Sequence, residues 1–329
     1  MSAAKAADGR KMEKIIFHID VNSAYLSWSS LKRLENGDTV DLRTIPSIVG
    51  GDMQRRHGVV LAKSISAKKY GITTGEPIVN ALRKCPSLVI EAPDHTLYHQ
   101  KSLALMDFLS GICPDIEQLS VDECFMDFTS IKSRFPSPEK AAHIIKDQIR
   151  ERFGFTVNIG ISDKKVLAKM ASDFKKPDMV HTLYTWEIQK KMWPLPVSSL
   201  YMCGKSSTAA LEKLEIRTIG DLAKADQAII ASHLKSHGLL LWNYANGHDD
   251  SGVVSVPVEA KGIGNSTTLS KDADNRSEAL HVLLSLSDSV STRLRKSGQL
   301  AGMISVEIKY SDFQSVSHQC SLPDPSNTS

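Results

Sequence analysis

The segment Lys14-Ile15-Ile16-Phe17-His18-Ile19-Asp20 is a short apolar run closed by an acid, and the order of elements behind it constrains the fold more than any other feature. A run this short reads as a buried strand. Residues 23–34 then have helical character and stop at the turn signal Asn36-Gly37-Asp38. After a Gly-punctuated stretch reaching Pro86, Leu105, Phe108, Leu109 and Ile112 recur at i, i+3, i+4, i+7, the stripe of an amphipathic helix that stops at Pro114. A hairpin across 115–128 follows, then a helix striped by Ala142, Ile145, Ile149 and Phe153 up to Gly154, then a strand over 156–161. Strand, insertion, helix, hairpin, helix, strand is the β-α-β-β-α-β order of a ferredoxin-like sheet. The fold class is therefore α+β.

Beyond that sheet, Leu167, Met170, Ala171 and Phe174 mark a helix that Lys175-Lys176-Pro177-Asp178 ends, since proline cannot continue it. Trp193-Pro194-Leu195-Pro196 breaks the chain, and a new unit is expected from about Thr185. In it, Cys203-Gly204-Lys205 precedes a helix carrying Ala210, Leu211 and Leu214, and a second helix follows Thr218-Ile219-Gly220. Gly247-His248-Asp249-Asp250 reads as a linker. The third unit, from about Val258, is expected to run strand, helix, strand and part of another strand. Its helix carries Leu280, Leu283, Leu284, Val290 and Leu294, and its later strand alternates Ile304, Val306, Ile308 and Tyr310 with Ser305, Glu307 and Lys309. Residues 322–329 read as a loop.

Charge is segregated rather than absent. The formal total is +3, yet Arg55, Arg56, Lys63, Lys68, Lys69, Arg83 and Lys84 face only Glu76 across positions 55–84, a net +6. Residues 115–128 instead hold Asp115, Glu117, Asp122, Glu123 and Asp127 with no base. A basic run alone fits a solvated face as well as a polyanion site. No apolar run approaches the ~20 residues of a membrane span, and the start MSAAKAADGRKMEK lacks the apolar stretch of a signal peptide. The five cysteines include no C-x-x-C pair and their odd number argues against a disulfide framework, so a reduced, cytoplasmic protein is expected. None of the 11 histidines forms a zinc pattern, and each is expected to be structural or at the surface.

The acids carry the chemistry. In Ser120-Val121-Asp122-Glu123-Cys124, neighbouring carboxylates can share a ligand only if the chain turns, because adjacent strand residues face opposite ways. Apolar flanks at Leu119, Val121, Phe125 and Phe128 place a hairpin turn near Asp122-Glu123. If Asp20 lies beside that turn, three carboxylates converge and repel unless cations neutralise them. Hard oxygen ligands suit Mg²⁺, with the Val21 carbonyl as a further oxygen. A solvated turn is the alternative, and the basic segment favours a metal site acting on a phosphate-rich substrate. Gly204-Lys205-Ser206 resembles the end of a P-loop, but Ser199 stands where that motif needs its first glycine. The surrounding pattern fits a helix-hairpin-helix, which offers backbone N–H groups to a DNA phosphate, or else a simple helix turn.

Three motifs in order, Phe17-His18-Ile19-Asp20-Val21-Asn22-Ser23-Ala24-Tyr25, Leu119-Ser120-Val121-Asp122-Glu123, and Asn158-Ile159-Gly160-Ile161-Ser162 with Ala168-Lys169-Met170-Ala171-Ser172-Asp173-Phe174-Lys175-Lys176-Pro177, resemble the Y-family translesion DNA polymerases of the DinB and UmuC branches. The resemblance runs from about Lys14 to the end of the chain. It implies a right-hand polymerase with a ferredoxin-like palm (12–25 and 88–184), small fingers (26–87), a helix-hairpin-helix thumb (185–248) and an α/β little finger (258–329). That family's little finger continues with a further helix and strand, so the chain is expected to be truncated and to lack the peptide that binds a sliding clamp. By position, Asp20, Asp122, Glu123 and the Val21 carbonyl would hold two Mg²⁺ ions, or Mn²⁺ in their place. Ser23, Ala24 and Tyr25 would offer backbone N–H groups to the dNTP triphosphate, with Tyr25 the gate against a ribose 2′-hydroxyl. Lys176 would pair with the outer phosphates. Ile65 and Lys68 stand where the family commonly has Tyr and Arg, and Lys keeps the charge without the bidentate fork. Ala24 replaces an aromatic, Asn22 an acid, and Leu61 and Ala62 would lie over the nascent base pair. The implied activity is low-fidelity, template-directed DNA synthesis past lesions without proofreading, by a monomer using primer-template DNA and dNTPs, away from membranes, in the bacterial cytoplasm and at the nucleoid when active. A catalytically inactive DNA-binding scaffold of the damage response is the alternative.

Overall fold

The computed structural model describes residues 14–51, 58–256 and 260–329. Arg55 and Arg56 of the basic run, and positions 12, 13, 258 and 259 of the expected units, lie outside them. The first strand, β1 (Ile16–Val21), leads into α1 (Ala24–Glu35). The insertion then supplies β2 (Ser47–Gly50), β3 (Val60–Lys63), α2 (Ile65–Lys68), α3 (Ile78–Lys84) and β4 (Val89–Glu91). It is followed by α4 (His95–Ile112), β5 (Ile116–Gln118), β6 (Glu123–Asp127), α5 (Pro138–Phe153), β7 (Val157–Ser162), α6 (Lys165–Ser172) and β8 (Val180–Thr182).

The main sheet has the order β5-β6-β1-β7-β8, antiparallel except for the parallel β7–β8 pair. This is the ferredoxin-like order with one edge strand added. Every residue of the central strand β1 is buried. Its alternation sends Phe17, Ile19 and Val21 into a core with Trp28, Leu105, Leu109, Phe128, Ile145 and Phe155, where the Phe17 and Phe128 rings stack at 4.4 Å. Ile16 points the other way, against Phe125 and Ala168. The helix α5 has its ends written locally: the Ser137 side chain accepts from Lys140 N–H, Pro138 starts it, and Gly154 closes it at φ 75°.

The insertion forms a second sheet, β3-β2-β4, over a core of Ile48, Val60, Ala67, Ile72 and Ile78. Its strand β4 lies past residue 87 yet pairs with β2 in parallel. Leu26 of α1 packs with Leu42 and Val49, joining this small body to the main one.

Four helices follow, α7 (Ile188–Lys191), α8 (Lys205–Glu212), α9 (Ile219–Lys224) and α10 (Gln227–Ala245), the last broken at Lys235 with φ 52°. Thr218 and Asp221 form a reciprocal cap at the start of α9. The helical core is not separate from the sheet. Leu167, Met170 and Ala171 of α6 join Leu183, Ile188, Met192, Leu211, Ile219 and Leu241. One helix thus serves two cores.

The linker beyond Gly247 is docked along the first body. Asp249 accepts from the Val166 N–H at the start of α6 (2.9 Å). The Glu117 carboxylate accepts from Val254 N–H (2.7 Å) and from Lys165 Nζ (2.8 and 2.7 Å). The last unit comprises α11 (Arg276–Ser297), β9 (Ala301–Lys309) and β10 (Ser315–Ser326). Two sequence expectations fail here. Residues 260–275 form no strand and are held to α11 by bonds such as Arg293 Nη1 to the Gly264 carbonyl (2.8 Å). An apolar run becomes a strand only where a neighbour supplies the ladder, and β9 pairs with β10 alone among the described residues. Residues 322–326, read as loop, belong to β10. Pro323 and Pro325 are accommodated because they fall in the irregular register between Ser321 and Ser326, where no ladder donor is needed. All five cysteines are free, four of them buried. Among the described residues no helix is long and apolar enough to cross a membrane.

Candidate active site

In the register of β1 and β6, Asp20 stands directly opposite Glu123. Asp122 precedes Glu123 in the turn, and its carbonyl accepts from Val21 N–H (3.0 Å), which stitches the turn to the end of β1. The Asp122 carboxylate accepts from Ser120 Oγ (2.6 Å). The carboxylates of Asp20 and Glu123 are each ion-paired, to Lys176 and Lys169 respectively. Among the described residues no three acids, histidines or cysteines close on a single point in this arrangement.

The electrostatics of the two acids differ. Burial pushes the Asp20 carboxyl above its ordinary range, against the pull of Lys176. Burial would also raise Glu123, but His18 and Lys169 beside it outweigh that and hold it at about 2. A donor set of Asp20, Glu123, Asp122 and the Val21 carbonyl is all hard oxygen at one strand end, and further positive charge there would relieve the desolvated Asp20. The residues fit a divalent cation.

The helix α6 delivers the cations, and Gly160 makes that approach possible. A Cβ on Gly160 would sit 2.0 Å from the Ala168 carbonyl and 2.5 Å from Ser172 N, so only glycine lets α6 lie on β7. Lys169 then reaches Glu123, and Lys176, just past the helix, reaches Asp20 and Asp173. The loop carrying Lys176 is pinned by two buried amides. Asn158 Nδ2 donates to the carbonyls of Ser172 (3.0 Å) and Lys175 (2.7 Å), while Asn158 Oδ1 accepts from Asn22 Nδ2 (3.1 Å). Asn22 Oδ1 accepts from Asp178 N–H (2.9 Å). Sequence reasoning missed His18, Asn158, Lys169 and Ser172 as site residues. Each sits inside a motif quoted above, but no spacing rule ties Lys169 to an acid 46 positions away.

Ser23 turns the chain from β1 into α1 at φ 47° and ψ 52°, and no side chain caps the helix. Its first-turn N–H groups therefore have no intrahelical acceptor. The exposed Ser23 donates through Oγ to the Lys63 carbonyl (3.1 Å), and Ala24 is buried. Tyr25 is half-buried, stacked on Tyr98 at 4.3 Å and 9°, with His95 edge-on. Its hydroxyl is shifted upward by burial and then by the charge of Asp122, which places the ring on the acidic side. From the insertion, Leu61 and Ala62 pack against the Leu26–Leu42–Val49 cluster, and Ile65 and Lys68 are exposed. Lys63, which sequence reasoning did not single out, is shifted downward by burial and by the nearby Lys68.

A ferredoxin-like sheet with paired acids at its central strand end, a small sheet inserted after the first strand and a helix-hairpin-helix behind it define a right-hand polymerase. Residues 19–173 match the impB/mucB/samB family, and residues 260–329 match that family's C-terminal domain. The chain is 48% identical over 311 residues to a DNA polymerase IV of Clostridium acetobutylicum, covering 94% of this chain and 78% of the relative. It is 36% identical to a DNA polymerase IV of Alkaliphilus oremlandii, covering 96% and 78%. In fold it resembles a chimeric Y-family DNA polymerase, with TM-score 0.82 and 20% identity over 94% of this chain and 88% of that one. The chain belongs to the impB/mucB/samB family, the DinB-like Y-family polymerases.

Proposed function

We propose that the acids at the joined ends of β1 and β6 are the catalytic centre of a translesion DNA polymerase, which extends a primer 3′-hydroxyl from dNTPs on a template. The observation that carries this reading is the Asp20–Glu123 register pair with the uncapped start of α1 four residues after Asp20. Asp20, Asp122 and Glu123, with the Val21 carbonyl, would hold two divalent cations, Mg²⁺ or Mn²⁺. When bound, such ions activate the primer hydroxyl and neutralise the leaving pyrophosphate.

The chain's own groups do the rest. First-turn N–H groups at Ser23, Ala24 and Tyr25 donate to the triphosphate, where the helix dipole favours negative charge. Lys176 and Lys68 supply cations to its outer phosphates, Lys176 leaving Asp20 to do so. The Tyr25 ring, held flat against Tyr98, excludes a 2′-hydroxyl. The start of α8 carries no side-chain cap, so its N–H groups are available to a DNA phosphate. The division into palm, fingers, thumb and little finger follows the two sheets, the helical unit and the α11–β10 unit. Work on chromosomal DNA would place the protein in the bacterial cytoplasm as a monomer at the nucleoid, with a sliding clamp as partner.

Primer extension tests the reading. The parent should extend a primed template only with Mg²⁺ or Mn²⁺, and Asp122→Asn with Glu123→Gln should abolish extension. Unchanged extension by that double variant would defeat it. Binding to primer-template should weaken steeply with salt, and a flat response would count against phosphate contacts.

A further inference from the structure

His18 lies on β1 two residues before Asp20, on the same face, and is wholly buried. Its register partners are Phe125 on β6 and Gly160 on β7, the glycine on which α6 lies. Ring Nδ1 is 2.8 Å from Ser172 Oγ, and Nε2 is 3.2 Å from Glu123 Oε2. Nε2 has no aligned hydrogen bond, and the Glu123 Oε2 that it faces is also the oxygen ion-paired to Lys169. A buried polar atom without a partner needs a reason. Nothing else within the cluster competes for it: Ser172 Oγ is taken up by Nδ1 and the Lys169 carbonyl (2.8 Å).

We infer that His18 is a positioning residue for Glu123, a donor held ready by Ser172 that fixes the carboxylate once a cation displaces Lys169. An ionised carboxylate only accepts, so the nitrogen facing it must carry the proton. Nε2–H then donates to Glu123, Nδ1 is the lone-pair nitrogen, and the single Ser172 hydroxyl hydrogen donates to Nδ1 in place of the Lys169 carbonyl. Lys169 and His18 thus face one oxygen of Glu123, and His18 is the donor that stays on it when a cation displaces the lysine. No bond is made or broken and no proton leaves the ring. The inference rests on Glu123 being a cation-holding residue, as proposed above.

The test is Mn²⁺ binding followed by electron paramagnetic resonance on the full chain with a dideoxy-terminated primer-template and the matching dNTP. His18→Phe keeps the packing against Phe125 and removes both nitrogens. His18→Gln keeps one amide N–H that can reach Glu123. Loss of an outer hydrogen-bond partner typically weakens metal binding about 10–100-fold. The half-saturating Mn²⁺ concentration should therefore rise by that much in His18→Phe and recover in part in His18→Gln. Ser172→Ala, a smaller change in the same chain of bonds, should shift it in the same direction and keeps the test open if His18→Phe fails to fold. Mn²⁺ binding like the parent's in His18→Phe and His18→Gln would overturn the inference. So would equal weakening in both without rescue, since packing alone would then explain it. If Glu123→Gln extends primers and binds Mn²⁺ like the parent, the active-site reading itself fails, a distinct result.

Discussion

Asp20 and Glu123 are register partners on adjacent antiparallel strands, and each carboxylate is held by a different lysine brought in by α6 and the loop after it. The pairing separates the two acids electrostatically. Asp20, the more buried, is raised by desolvation, and Glu123 is held low by His18 and Lys169.

The two acids should therefore affect stability in opposite ways. Glu123 sits at about 2 in the fold against an ordinary 4.5, so its contribution is complete above pH 4.5 and is lost as pH falls toward 2. In urea melts, the stability gap between the parent and Glu123→Gln should be at most about 3 kcal/mol at pH 7 and shrink across that window. A gap that is flat or grows would contradict the assignment. Asp20 has the reverse sign: raised above 3.8, its contribution is present at low pH and lost as pH rises through its folded value. Asp20→Asn should accordingly abolish primer extension at pH 7 without destabilising the fold.

Tyr25→Ala should raise ribonucleotide incorporation by about tenfold or more, roughly 1.4 kcal/mol of lost discrimination. It should also cost about 0.5–1.5 kcal/mol of stability through the lost stack on Tyr98. Tyr25→Phe retains the ring and should change neither. Equal discrimination in Tyr25→Ala and the parent removes Tyr25 from the gate.

Gly160→Ala should be far more costly than an ordinary strand substitution. The added methyl meets the Ala168 carbonyl at 2.0 Å, backbone that cannot swing aside. Overpacking of this kind costs about 1–3 kcal/mol, and the displaced α6 should also lower primer extension. Wild-type melting together with wild-type extension would show that α6 does not depend on this contact.

Glu117→Ala should undock the linker. Glu117 is the shared acceptor of Lys165 and Val254 N–H. Hydrogen bonds to charged groups are worth about 1.5–3 kcal/mol, so exchange protection at the Val254 amide should drop roughly tenfold to a hundredfold. Unaltered protection would mean that the segment is held without Glu117, by the Asp249–Val166 bond and by Val253 packed against Ile16, Phe125 and Ala168.

The order of strands and helices was legible in the sequence because each element writes its own period and stops. The stripe of α5 and its stop at Gly154 are local facts, and so is the acid pair in its turn. The last unit was read less well. The strand expected before α11 and the proline-bearing tail read as loop were the wrong assignments, because strand formation depends on which neighbour is available to pair. Asp20, Asp122 and Glu123 could be proposed from type and position, but Lys169 and His18 could not. A lysine on an apolar helix face and a histidine in a buried strand look like a solvated tip and a core filler until their partners are known.

By itself, then, the sequence determined the ferredoxin-like order and the family, and it offered the acids of the candidate site. The tertiary structure alone decided how those acids are held. It set Asp20 against Glu123, laid α6 on Gly160, brought Lys176 to Asp20 across 156 positions, and tied the linker to Glu117. Local spacing dictates hydrogen bonds within a turn of helix or along one strand. Which side chains meet from distant segments is settled only when the sheet register and the helix above it are in place.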